Sequence, residues 1–253
     1  MTNCLDHIKT FLPNSAKADR FPLITLKGVE RFPYALDELG KYSTEVVEEH
    51  SIYGFNTETH IAERLKERFK FYRTDKAQHG YHLIYGELFA KIDSTAKVNI
   101  LEIGLGTNNK QLISHMPSYT NPGASLRAMR DILPAAQIFG ADIDKDILFT
   151  EERIQTAWVD QMNPESFRAM NARFGNPQYD LIIDDGLHAI SANLNTLLFG
   201  LTVLKKNGWI MIEDIARGRE VFWNTVCRLL PAESFHRFLL KSVNPYVFLL
   251  QKR

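Results

Sequence analysis

The chain has 253 residues, enough for one α/β domain with an extension or at most two small domains. Hydrophobic residues make up 45% and charged residues 24%, the proportions of a compact globular protein rather than a disordered or fibrous one. Basic and acidic residues number 30 each, so no excess of positive charge points to a nucleic-acid partner.

Residues 1 to 72 differ in character from the rest. Pro13, Pro22 and Pro33 punctuate the first half, and strand alternation is absent. The stretch from Met1 to Pro13 carries Asp6, His7 and Lys9 and lacks the apolar centre of a signal peptide. Two charged helices are expected next, Leu36 to His50 and Thr59 to Tyr72. In the second, Ile61, Leu65, Arg68, Phe69 and Tyr72 recur at three- and four-residue steps and give it one apolar edge. Thr57 or Thr59 is placed to cap it. This region, residues 1–72, reads as a helical extension. It serves as a cap over a site, a homo-oligomer contact or a purely structural cover.

From residue 97 onward, apolar strand patterns alternate with helical ones. Val98 to Ile103, Gln137 to Ile143, the weaker Thr156 to Val159, Tyr179 to Ile183 and Trp209 to Ile212 read as strands. Ser125 to Leu133, Pro164 to Phe174 and Ala189 to Leu204 read as helices between them. Such alternation implies a mostly parallel sheet covered on both faces. Glu233 to Leu240 and Tyr246 to Lys252 flank Asn244-Pro245 and read as an antiparallel hairpin. The fold class expected for residues 73–253 is therefore α/β and Rossmann-like, with the C-terminal hairpin of class I methyltransferases. The longest apolar stretch, Leu194 to Leu204, is interrupted by Asn195, Thr196, Gly200 and Thr202 and is too short to cross a bilayer. A cytoplasmic protein without a membrane partner is expected. Cys4 and Cys227 then read as reduced thiols.

Leu101-Glu102-Ile103-Gly104-Leu105-Gly106-Thr107 follows the first strand directly. A strand leading into a Gly-x-Gly turn suits both dinucleotides and S-adenosylmethionine, because the backbone approaches the ligand with no Cβ between. Two details favour the methyl donor. Asn109 stands where a dinucleotide fingerprint needs its third glycine, and Asp142 lies 36 positions beyond Gly106 rather than about 20. Glu102 also suits a ligand carrying an ammonium group. The extra length reads as an insertion, Thr107 to Pro122, ahead of a helix whose free amides face a carboxylate. Ser125 there either caps the helix or contacts the ligand. Asp142 is placed to accept from both ribose hydroxyls, with Asp144 the runner-up. Asp160 and Gln161, after the third strand, lie near the expected position of an adenine edge or form an ordinary polar turn.

Asp184-Asp185-Gly186-Leu187-His188 ends the fourth strand and Glu213-Asp214 ends the fifth. Ligands of open parallel sheets bind beyond the carboxyl ends of strands. Acids converging there repel one another unless a cation joins them, and a hard divalent ion such as Mg²⁺ takes oxygen ligands. The alternative is that one or two of the acids cap helices or pair with Arg217 and Arg219. His188, three residues past Asp185, is placed either to take a proton from an acceptor hydroxyl or to cap the helix that follows.

These strings resemble the metal-dependent sugar O-methyltransferases of the macrocin and mycinamicin type, where the fourth strand ends in Asp-Asp-Gly-Ser-His and the fifth in Glu-Asp or Asp-Asp. The resemblance covers roughly residues 73 to 215. It implies a magnesium site at Asp185, Glu213 and Asp214, with His188 as the general base. It also implies a donor site that includes Glu102, Gly104, Gly106, Ser125, Asp142 and Asp184. Thr74-Asp75-Lys76-Ala77-Gln78-His79-Gly80-Tyr81-His82 resembles the segment those enzymes carry before the first strand, which places Lys76 and Tyr81 at the donor site. Leu187 replaces the usual serine, and the insertion is longer than in the family. The implied reaction moves a methyl group from S-adenosylmethionine to a hydroxyl of a small molecule, a sugar or glycosylated metabolite. The rival readings are a metal-independent methyltransferase acting on another acceptor such as a surface-polysaccharide precursor, a nicotinamide-dependent oxidoreductase, and a non-catalytic module.

Overall fold

The computed structural model describes residues 49–51, 59–92, 96–241 and 245–253. A nine-stranded sheet forms its centre. In chain order the strands are β1 (Glu49–Ser51), β2 (Asn99–Ile103), β3 (Gln137–Asp142), β4 (Thr150–Glu151), β5 (Ile154–Trp158), β6 (Tyr179–Asp184), β7 (Leu204–Ile215), β8 (Phe235–Lys241) and β9 (Tyr246–Lys252). Their spatial order is β1-β8-β9-β7-β6-β2-β3-β5-β4. The neighbours β5, β3, β2, β6 and β7 are all parallel, whereas β9 runs antiparallel between β7 and β8. The mostly parallel sheet and the C-terminal hairpin are both present as expected.

Side chains alternate across the sheet at the period of a strand, so each central strand feeds two cores. On one face, Ile100, Ile183, Met211 and Leu249 pack with α1 (His60–Tyr72), α2 (Tyr81–Ala90) and α3 (Ala124–Ile132), through Leu65, Phe69, Tyr85, Phe89 and Met129. On the other, Leu101, Ile182, Ile210 and Phe248 pack with α4 (Pro164–Arg173), α5 (Ile190–Val203) and α6 (Glu220–Leu229), through Phe167, Leu197, Trp223 and Cys227. Burial pushes the Cys227 thiol up to about 12, so it stays protonated at neutral pH. Cys4 lies outside the described residues.

Thr59 caps α1 by accepting from the Ala62 amide at 3.1 Å, and Arg73 ends it in the left-handed conformation. Thr57 lies outside the described residues. Most of the expected helix Leu36 to His50 does too, but its last residues are not helical. Glu49 and His50 belong to β1, which pairs in parallel with β8. An open sheet edge offers backbone partners that outweigh a weak helical preference. Helices α2 and α6 have no counterpart in the sequence reading. Seven of the ten residues of α2 are buried, so its apolar residues surround it and leave no amphipathic period to read. Among the described residues, no helix is long and apolar enough to cross a membrane.

Candidate active site

Every strand that ends in a chemical motif ends on the same edge of the sheet, because the five central strands are parallel. The turn after β2 is held tightly. The Gly104 amide donates to the Ala141 carbonyl at 2.8 Å, and a Cβ on Gly104 would stand 2.1 Å from the Asp185 carbonyl oxygen. With φ at +97°, that position requires glycine on two counts. The insertion leaves this turn and returns to it, closed at its base by Gly123 N donating to Leu105 O at 2.7 Å.

A cavity of about 350 Å³ opens along this edge. One part is walled by Gly104, Gly106, Ala124, Ser125, Asp142, Asp160 and Gln161, and the other by Lys76, Asp185, His188 and Asp214. The insertion contributes Leu112, Ile113 and Met116 to the rim. Of the expected donor residues, Lys76, Gly104, Gly106, Ser125, Asp142, Asp160 and Gln161 share this space with Asp185 and Asp214, whereas Glu102, Tyr81, Asp144 and Asp184, and Glu213 of the acid cluster, do not line it.

The structure gives several donor-side residues partners that the sequence did not reveal. Asp142 accepts from the Leu105 amide at 2.7 Å through Oδ2 and from the Asp144 amide at 2.9 Å through Oδ1. Burial raises its carboxyl above the ordinary range, and these amides work against that. Each oxygen keeps a further lone pair for a ligand hydroxyl. Asp144 does not line the cavity. It caps a short helical turn through the Asp146 amide and accepts from the Thr107 hydroxyl. Gly123 rather than Ser125 caps α3, and the Ser125 hydroxyl donates to Glu102 Oε2. Asp160 closes its own turn by accepting from the Met162 amide. Gln161 is fastened on both ends of its amide, donating to Asp184 at 2.9 Å and accepting from the Leu187 amide at 2.7 Å. Asp184 is fully buried away from the cavity lining, and its Oδ2 has no hydrogen-bond partner among the described residues.

The acid cluster is built on unusual backbone. Between β7 and β9 the register shifts from Ile212↔Phe248 to Ile215↔Tyr246, which leaves one extra residue on β7. Asp214 sits in this bulge at φ +53°, and His188 is left-handed at φ +53° as well. A bulge re-aims side chains that regular pleating would send to opposite faces. Consecutive acids can therefore both turn toward α2, where Tyr81 donates to Asp214 Oδ1 at 2.6 Å and Tyr85 donates to Glu213 Oε1. Burial, reinforced by the Glu213 carboxylate, holds both phenols above their ordinary range, so they are donors.

Asp185, His188 and Asp214 each bring one ligand atom within 4.8 Å of the others. His188 Nε2 lies 4.0 Å from Asp185 Oδ1 and 3.9 Å from Asp214 Oδ2. Glu213, expected to join them, lies outside this trio with Oε1 on Tyr85 and Oε2 on Lys76. Lys76 also donates to Asp185 Oδ2 at 2.6 Å and lies 3.2 Å from Glu102 Oε1. Burial pushes Asp185 up to about 6, against the pull of the Lys76 ammonium and together with repulsion from Asp214. Burial likewise works to raise Glu213, and the Lys76 ammonium that it accepts from pulls the other way. Tyr85 was missed in the sequence reading. Its signal was the i, i+4 spacing from Tyr81, which sets both phenols on one side of α2.

No protein-family model matches the chain. Over 123 residues it is 33% identical to the mycinamicin VI 2''-O-methyltransferase of Micromonospora griseorubida, covering 47% of this chain and 27% of that protein. Over 141 residues it is 31% identical to the 8-demethyl-8-alpha-L-rhamnosyl tetracenomycin-C 2'-O-methyltransferase of Streptomyces olivaceus, covering 54% of this chain and 33% of that protein. The chain thus spans about a third or less of the length of these curated relatives. Among solved structures, the MycE methyltransferase in complex with Mg, SAH and mycinamycin VI superposes with a TM-score of 0.60 at 24% identity. That likeness covers 75% of this chain and 54% of the other.

The fold is that of a class I methyltransferase. Within the class I sheet, the first strand is β2, and the cavity lies where its glycine turn meets the ends of β3, β6 and β7. The matched relatives are sugar O-methyltransferases, the group that the strings at 184–188 and 213–214 resemble.

Proposed function

We propose that this chain carries the catalytic domain of a divalent-cation-dependent O-methyltransferase that moves a methyl group from S-adenosylmethionine to a sugar hydroxyl of a small molecule. The observation that carries the reading is the shared cavity. It joins the glycine turn and Asp142 on one side to Asp185, His188 and Asp214 on the other. The sugar acceptor is supported by the relatives, whose names place their reactions on mycinamicin VI and on a rhamnosyl tetracenomycin.

The residues of the cluster fit a hard cation. Asp185 Oδ1 and Asp214 Oδ2 accept no hydrogen bond among the described residues, while the second oxygen of each is held by Lys76 or Tyr81. Two oriented hard oxygens beside a cavity suit Mg²⁺ with its remaining positions left to water and acceptor. When bound, the cation lowers the pKa of an acceptor hydroxyl. His188 Nε2 cannot both ligate and take a proton. We assign it the base, because a hard cation prefers the two carboxylates. Gly104, Gly106 and the amides opening α3 receive the amino-acid end of the donor, and Asp142 receives its ribose. The protein's main contribution is alignment of hydroxyl oxygen, methyl and sulfur, with the hydroxyl proton removed.

Methyl transfer from labelled S-adenosylmethionine to a panel of glycosylated acceptors tests this. Activity that disappears in EDTA, returns with Mg²⁺, and falls by at least about a hundredfold in Asp185→Asn with donor binding retained is the expected result. Activity indifferent to EDTA overturns the metal role.

A further inference from the structure

Lys76, expected at the donor site, reaches the acid cluster instead. It comes from the turn between α1 and α2, where Thr74 accepts from its amide, and it is 2% exposed. Its ammonium meets three carboxylates from three strands: Glu102 at 3.2 Å, Asp185 at 2.6 Å and Glu213. It also lies 5.9 Å from the ring centroids of both Tyr81 and Tyr85. Burial disfavours its charged form. The carboxylates of Asp185, Glu213 and Glu102 outweigh burial and hold it charged. A buried lysine in this setting is a permanent unit charge inside the acid cluster.

We propose that Lys76 is a positioning residue, an internal cation that holds the acid cluster assembled before any divalent ion arrives and with which such an ion must compete for Asp185. This rests on the metal-dependent reading above. Four acids, Glu102, Asp185, Glu213 and Asp214, lie at the ends of neighbouring strands, and without a cation their repulsion would splay them. Lys76 takes Asp185 by Oδ2 and leaves Oδ1 toward His188, which preforms one oxygen of the cation site. The same ammonium engages both oxygens of neither Asp185 nor Glu213, yet its charge opposes a second cation hydrogen-bonded distances away. Preorganisation and weakened metal affinity thus come from one residue. Because Glu102 lies on β2 two residues ahead of Gly104 and accepts from Ser125, Lys76 also links the glycine-turn side of the cavity to the acid cluster.

Calorimetric titration of Mg²⁺ into the full chain and into Lys76→Met, with thermal melting of each in EDTA and in Mg²⁺, tests the inference. The variant is expected to melt lower than the parent in EDTA, to bind Mg²⁺ roughly tenfold tighter or more, and to gain more in Tm from Mg²⁺. An isotherm seen only in the variant supports it equally. A purely structural lysine would lower Tm in both conditions and leave Mg²⁺ affinity unchanged or weaker, and that result overturns the inference while leaving the metal reading intact. No Mg²⁺ isotherm from either protein, with SAH still bound, overturns the metal reading and the inference with it. If Lys76→Met does not fold in EDTA, Lys76→Gln, which keeps a donor without the charge, is measured in its place.

Discussion

At the scale of single residues, the site works by dividing carboxylates. Asp185 gives Oδ2 to Lys76 and keeps Oδ1 for the cavity, and Asp214 gives Oδ1 to Tyr81 and keeps Oδ2. A group held by one oxygen can present the other at a fixed angle, which is the usual task of partners that orient metal ligands. Tyr81→Phe removes only a hydroxyl from a buried ring, so the fold should survive. Mg²⁺ affinity should drop about tenfold, measured by calorimetry, while Tm in EDTA changes little. Unchanged affinity would mean that Asp214 is oriented by something else. Sequence spacing brought Asp185, His188 and Asp214 together because apolar runs marked the end of β6 and the last stretch of β7, although β7 continues through Asp214 to Ile215. It could not say which oxygen of an acid is free, since that depends on Lys76 and Tyr81, which are more than 100 positions away from their partners. Nor could it show Glu213 turned to Tyr85 rather than to Asp185 and Asp214.

At the scale of elements, the decisive contacts are between loops at the strand ends. Gly104 lies against the backbone of Asp185, so the glycine turn after β2 and the acid cluster are packed together rather than merely adjacent in topology. Gly104→Ala must either move the β2 turn or push Asp185 away, and its φ of +97° is unfavourable for alanine besides. The expected cost is about 1–3 kcal/mol in stability, read as a lower denaturation midpoint, together with loss of SAH binding. Wild-type donor affinity in that variant would show that the turn does not form the donor site. The bulge at Asp214 belongs to the same scale. Nothing in Ile212-Glu213-Asp214-Ile215 announces it, because the extra residue exists only relative to β9. The insertion at 107–122 was visible as surplus length before α3, whereas its closure by Gly123 on Leu105 was not.

At the scale of the whole molecule, one parallel sheet sets all of this geometry. Five strands pointing the same way bring Gly104, Asp142, Asp160, Asp185 and Asp214 to one edge, and the flanking helices bury both faces. The order of the strands came only from the structure, whereas the α/β class, the parallel core and the C-terminal hairpin followed from alternating apolar runs. The misread end of the helix ahead of residue 50 fails for the opposite reason, since β1 exists only where β8 offers it an edge. The central claim is that this edge is a methyl-donor site, and calorimetric titration of SAH into the chain tests it most directly. Saturable binding of one molar equivalent, weakened about tenfold or more in Asp142→Asn, is the expected result. No heat of binding, with the protein folded and Mg²⁺ present, would contradict it.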